Sequence, residues 1–448
     1  MRNVFIMNYS NILPRHSSYE LPIAAYGDGC YIIDKNGKKY LDGSCGAAVS
    51  CLGHSDQTIN DAIIKQTEKL AFSHTSFFTS EPAEELARVL SKNSPTGLDK
   101  VYFVSSGSEA IEASLKLAKQ YFIEIGKPKK HKVISRKQSY HGNTLGALSV
   151  GGNVWRKSFF EDLLIKTSLI SPCYKYRHQD NTESEIEYGL RIADELEEEI
   201  IHLGPDNVMA FIAETVVGAT AGALTPVEGY FKRIREICTK YNVLLILDEV
   251  MCGMGRTGTL FACDEEKIIP DIITIAKGLG AGYQPIAAMM CQNFIYEAIS
   301  QGSGFFQHGH TYLGHPIACA ASLAVVNKLL KENFPEQVRK KGEYLQKHLE
   351  ITLSQNQYIG DIRGRGLFRG IELVQNRETK EPFPKNLNIA GKIKKKALDL
   401  GLICYPMQGT VDGTVGDHIL IAPPFIIKEN EMNEISQKLK ITIESICN

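Results

Sequence analysis

The 448-residue sequence predicts an α/β protein: a large unit on a mostly parallel, doubly wound sheet, with a smaller α+β unit drawn from both chain ends. Three observations carry this expectation. Short runs in the middle of the chain are apolar at every position, as in strands covered on both faces. Helical patterns separate them, so strand and helix alternate. Past residue 328 the pattern changes to long polar helices followed by short β-rich pieces.

Taken in chain order, the first element is a hairpin-like YIIDKNGKKYLDG at 31–43, where Asn36 and Gly37 suit a two-residue turn. The alternating region runs from about Phe72 to Val325, with strands read at 101–104 (VYFV), 131–135 (HKVIS), 208–213 (VMAFIA), 243–248 (VLLILD) and 271–276 (DIITIA). Helical patterns occupy 109–125 and 229–241. The closing β-rich pieces are GLFRGIELV, GLICYP and DHILIAPPF. The expected division is 1–71 and 328–448 for the small domain and 72–327 for the large one.

Lys plus Arg (50) balances Asp plus Glu (51), so nothing electrostatic calls for nucleic acid or an anionic membrane as partner. The eleven cysteines are spread singly without CxxC spacing or a Cys/His cluster, which reads as reduced thiols and no metal site. The apolar stretch Val4 to Met7 is too short for a secretory core or a membrane span, and a cytoplasmic protein is expected. The lysine-rich stretches 127–132 and 394–396 read as solvated surface.

Ligands in open parallel sheets bind at the carboxyl ends of strands, so the residues following each apolar run are the informative ones. After VYFV comes SSGSEA (105–110) at the start of a helix, where Ser106, Gly107 and Ser108 offer small side chains and free N–H groups to a phosphate, or simply make a capped turn. VLLILD ends on Asp248, a carboxylate costly to bury without a cation: either a turn cap, or the group that keeps a pyridinium nitrogen protonated. DIITIA is followed by Lys277 and small residues, so its amine either presents to a ligand or reaches solvent. Together, on three strand ends, these are the set a pyridoxal-phosphate (PLP) enzyme needs, with Lys277 holding the cofactor as a Schiff base.

The sequence resembles the class III aminotransferases of the fold type I PLP superfamily over nearly its whole length. The motifs are SSGSEA (105–110), SYHGNTLGALS (139–149), LILDEVMCGMGRTG (245–258), DIITIAKGLGAGYQPIAAM (271–289), HGHTYLGHPIACAA (308–321) and IRGRGLFRGIEL (362–373). The resemblance implies that Tyr140 stacks on the cofactor ring, that Val250 packs on its other face and that His141 lines the site. It also implies that Thr311 reaches the phosphate from a neighbouring subunit, in a homodimer or a higher oligomer built from it. Glu214 matches the glutamate of an EPxxG motif, with Thr215 in place of the proline. Tyr19, Cys45, Phe77 and Phe78 match pocket positions that packing would explain equally.

The implied reaction is amino transfer between small-molecule amine and keto acid by a ping-pong cycle. Relatives that are aminomutases, decarboxylases, racemases or lyases use the same lysine and acid, and a non-catalytic PLP-binding protein would be expected to lose one of them. On substrate, this chain departs from relatives that use 2-oxoglutarate. Their second glutamate, five residues after the position of Glu214, is Ala219, and 404–425 contains none of the arginine that such a glutamate holds. An ω-amino acid or amine donor with pyruvate or a similar small acceptor is therefore expected. Arg363, Arg365 and Arg369 lie elsewhere in the C-terminal part, and Arg365 is the candidate for a carboxylate contact.

Overall fold

The computed structural model of the protein describes residues 11–15 and 20–447; Tyr19 lies outside them. Seven strands form the central sheet in the order Lys100–Val104, Ala287–Cys291, Ile272–Ile275, Leu244–Asp248, Val208–Glu214, Lys132–Arg136, Ser168–Ile170. All neighbours are parallel except that Ala287–Cys291 runs against both of its partners. The link from Ile275 to Ala287 is a short loop with one 3-10 turn, which reverses the chain but cannot make a helical crossover. Ala287–Cys291 and the three-residue Ser168–Ile170 were not marked as strands by the sequence pattern, because AAMMC has little β-branched or aromatic character and SLI is too short to show a period.

The strands Val208–Glu214 and Leu244–Asp248 are buried at every position, as their unbroken apolar runs require. Helix Gly107–Glu124 begins two residues before its apolar period because Ser106 caps it: the hydroxyl accepts from Glu109 N at 3.3 Å, while the Glu109 carboxylate takes Ser105 N at 2.8 Å. Helix Tyr230–Lys240 buries Tyr230, Phe231, Ile234, Ile237 and Cys238.

Two four-stranded sheets flank this body. One is Ala24–Asp28, Tyr31–Asp34, Lys39–Asp42 and Leu402–Ile403, the last lying parallel to Lys39–Asp42 and so joining the two ends of the chain. The other is the antiparallel set Ile359–Arg365, Phe368–Leu373, Asp417–Ile421, Tyr405–Gln408.

Two local expectations are corrected. The hairpin turn is three residues, not two: Ile33 pairs with Lys39, Asp34 N bonds Lys38 O, and Gly37 takes the left-handed φ of +81°. Asp34 Oδ1 accepts from Asn36 N and Lys38 N at 2.8 and 3.0 Å, which holds the longer loop. Within the lysine-rich stretch, Lys130 is buried and donates to the carbonyls of Pro205, Val208 and Tyr241 at 2.8, 2.8 and 3.2 Å. Burial pushes its pKa down to about 8. Among the described residues no helix is long and apolar enough to cross a membrane.

Candidate active site

The parallel register sets Asp248 beside Glu214 on one side and Thr274 on the other, at the carboxyl end of the sheet. Asp248 is buried, with Oδ1 accepting from Val250 N at 3.0 Å and Oδ2 lying 2.8 Å from His141 Nδ1. His141 is buried too, and its Nε2 has no partner. The acid is thus braced by a backbone amide and an imidazole and, among the described residues, has no arginine or lysine in an ion pair with it.

Lys277 follows the strand Ile272–Ile275 in the left-handed region, φ +46°, a conformation that costs a side-chain-bearing residue of order 1 kcal/mol and is held by its surroundings. Burial pushes its pKa down, with the Asp248 carboxylate opposing that shift. A neutral amine is the nucleophilic form.

Glu214 forms the neighbouring acid. Its Oε1 takes Tyr140 N at 3.3 Å, and Arg136 donates to its carbonyl while lying 3.9 Å from Oε2. Burial raises its pKa, with His141 and Arg136 opposing and Asp248 adding. Thr215, the departure from the EPxxG pattern, donates to Glu249 at 2.8 Å. Glu249 also accepts from Ala262 N and Cys263 N at 2.6 and 2.7 Å, and burial pushes it up to about 7. The hydroxyl therefore ties this strand end to the glycine-rich turn that follows Asp248, a bond a proline cannot make.

At the phosphate end, a Cβ on Gly107 would meet Val250 Cγ1 at 2.8 Å, so only glycine lets the helix start this close to the Asp248 turn. Ser108 Oγ takes Asn143 N at 3.0 Å, and the first N–H groups of helix Gly107–Glu124 have no intrahelical partners. Ser106, Gly107, Ser108, Tyr140, His141, Glu214, Asp248, Val250 and Lys277 all line one cavity of about 400 Å³. A small-residue cradle at a helix N-terminus, a braced buried acid and a desolvated amine in one cavity fit a phosphorylated pyridine aldehyde.

The other expected residues do not meet there. Thr311 is exposed and lines a different depression. Phe77 and Phe78 are 79% and 69% exposed. Cys45 is fully buried, its Sγ donating to Ser50 O at 3.2 Å and lying 3.5 Å from an Arg256 nitrogen. Arg256 itself spends its guanidinium on Leu367 O and Pro423 O. Arg365, the expected carboxylate contact, pairs with Glu266 at 2.5 Å and is not among the residues lining the cavity. Arg363 is held by Glu372 and Asp361, and Arg369 by Gln346 and Gly364 O. Ala219 does line the cavity, together with Arg15, Arg156, Met251, Gln284 and Tyr405, none of which the sequence singled out. Arg156 sits in the short helix Val154–Lys157, where VWRK reads like any half-solvated turn.

The fold and the cavity define a PLP-type active site on a doubly wound sheet. The family model for Aminotransferase class-III matches residues 14–443, and the chain belongs to that family of PLP-dependent aminotransferases. It is 44% identical over 425 residues to an uncharacterised aminotransferase of Schizosaccharomyces pombe, covering 95% of this chain and 93% of that one. Gamma aminobutyrate transaminase 2 of Solanum lycopersicum is 38% identical over 415 residues, 91% of this chain and 88% of its own. Among solved structures, the omega transaminase from Pseudomonas jessenii in complex with PMP superposes with TM-score 0.89 at 33% identity, covering 95% of this chain and 94% of that one.

Proposed function

We propose that this aminotransferase moves an amino group from an amine or ω-amino acid to a small keto acid such as pyruvate by a ping-pong cycle. The observation that carries the acceptor assignment is that Ala219 lines the cavity where relatives using 2-oxoglutarate have a glutamate, and that among the described residues the carboxylate–guanidinium pair made by a cavity-lining acid is Glu214 with the buried Arg136. The similarity to an omega transaminase and to a gamma aminobutyrate transaminase supports the donor class.

PLP supplies the electron sink that makes a proton on the substrate carbon removable. Lys277 would take that proton and carry it to its new position, and the burial that lowers its pKa favours the neutral amine that can do so. Asp248, steadied by His141, holds the proton on the ring nitrogen by charge. The Ser106–Ser108 turn would hold the phosphate, and Tyr140 and Val250, which line the same cavity, would cover the ring and exclude water. Thr311, exposed in one chain, would complete the site of a second copy, which fits a homodimer. The pairing of Leu402–Ile403 with Lys39–Asp42 supports a small domain from 1–71 and 328–448 beside a large one at 72–327, and a cytoplasmic location suits the buried free cysteines.

Steady-state kinetics with one good donor test the acceptor. Pyruvate is expected to exceed 2-oxoglutarate in kcat/KM by about tenfold or more. Equal or higher values for 2-oxoglutarate contradict the reading.

A further inference from the structure

Arg156 is the group in the cavity that the chemistry above leaves without a task. Its guanidinium carbon lies 4.3 Å from the centre of the Tyr140 ring and 5.7 Å from that of Trp155. The side chain is half-buried, and its Nε is buried with no hydrogen-bond partner. Among the described residues no carboxylate lies within ion-pair distance of it, whereas Arg136, Arg177, Arg363 and Arg365 are all paired with an acid. The main-chain N of Arg156 bonds the Asn153 side chain at 3.2 Å, and the residue lines the cavity that Lys277 also lines.

A desolvated donor without an acceptor is costly unless a ligand supplies one. The fork geometry of guanidinium matches two carboxylate oxygens, and stacking on Tyr140 holds the plane in place without consuming its donors. Arg15 lines the same cavity but is exposed, so water competes for its donors. Arg365, the other candidate, is spent on Glu266.

We infer that Arg156 is the specificity-determining residue that binds the substrate carboxylate, of ω-amino acid donor and keto acid acceptor in turn, in place of the arginine missing from 404–425. This deepens the proposed function and rests on it for the reaction, not for the binding. The tyrosine that covers the cofactor ring then also supports the residue that selects substrates.

The test compares wild-type holoenzyme with Arg156→Gln and Arg156→Lys in two measurements. The first is the ratio of the second-order rate constants of the first half-reaction for 4-aminobutyrate and n-butylamine, a pair differing in carboxylate against methyl, read as single-turnover carbonyl product in the absence of acceptor. The ratio is expected to fall about 30-fold or more in Arg156→Gln, and less in Arg156→Lys, which keeps the charge but loses the fork. The second is calorimetric binding of butyrate, which needs no turnover and should weaken by a similar factor. A ratio and a butyrate affinity unchanged in Arg156→Gln, or a parallel loss for both amines, overturn the assignment. Because butyrate binding does not depend on chemistry, failure of the wild-type enzyme to transfer amino groups overturns the proposed function alone.

Discussion

Lys277→Ala is expected to cut turnover by about 10⁴-fold or more, because the substitution removes both the nucleophile and, among the described residues, the only lysine amine lining the cavity that can carry the substrate proton. The loss should be a chemical one. Alanine inherits the left-handed φ of +46° without adding bulk, and removal of a buried amine relieves desolvation, so the melting temperature is expected to stay near wild type. Steady-state kcat beside a thermal melt separates the two effects. Turnover near the wild-type rate in a folded Lys277→Ala protein would remove Lys277 from the mechanism.

Asp248→Asn carries the second large effect, about 10³-fold in kcat, with much of the cofactor still bound. The amide can still accept from Val250 N, so the turn that follows the strand persists. What disappears is the negative charge beside the ring nitrogen and beside His141 Nδ1, and an amide cannot hold a proton there by charge. Parallel measurement of kcat and of bound cofactor by absorbance checks this. A variant with full activity, or one that loses cofactor in proportion to activity, would make Asp248 a structural residue.

Asp248 and Lys277 were legible because each stands at the end of a buried, largely apolar run, with Thr274 the one polar residue in the strand before Lys277, and a charged residue in such a place must either be paired or be used. The Ser106–Ser108 turn was legible through its small residues before a strong helical period. Thr311, Phe77 and Phe78 are exposed in this chain and do not line the cavity, so the positions that the motifs matched do not converge within one copy. Arg365 misled because its partner Glu266 is 99 positions away, and no local pattern signals a distant ion pair. Arg156 escaped notice for the converse reason: VWRK reads as a surface turn, and only folding brings its guanidinium over Tyr140 and leaves it unpaired. Lys130 shows the same limit, since three carbonyls from two distant segments, Pro205 and Val208 in one and Tyr241 in the other, hold its amine. The hairpin turn lengthened because the Asp34 side chain caps three residues where Asn36–Gly37 alone would turn in two.

The central claim is that this chain takes an amino group from one molecule, keeps it, and gives it to another. A half-reaction measures that directly: holoenzyme is mixed with an amine donor and no acceptor, the small molecules are removed, and pyruvate is added. The account predicts about one equivalent of carbonyl product per site in the first step and about one equivalent of alanine in the second, with donor nitrogen carried across. Continued product formation without an acceptor, or a first step that leaves no amino group on the enzyme for pyruvate, would contradict it and favour the lyase, decarboxylase, racemase or mutase chemistry that the same lysine and acid can support.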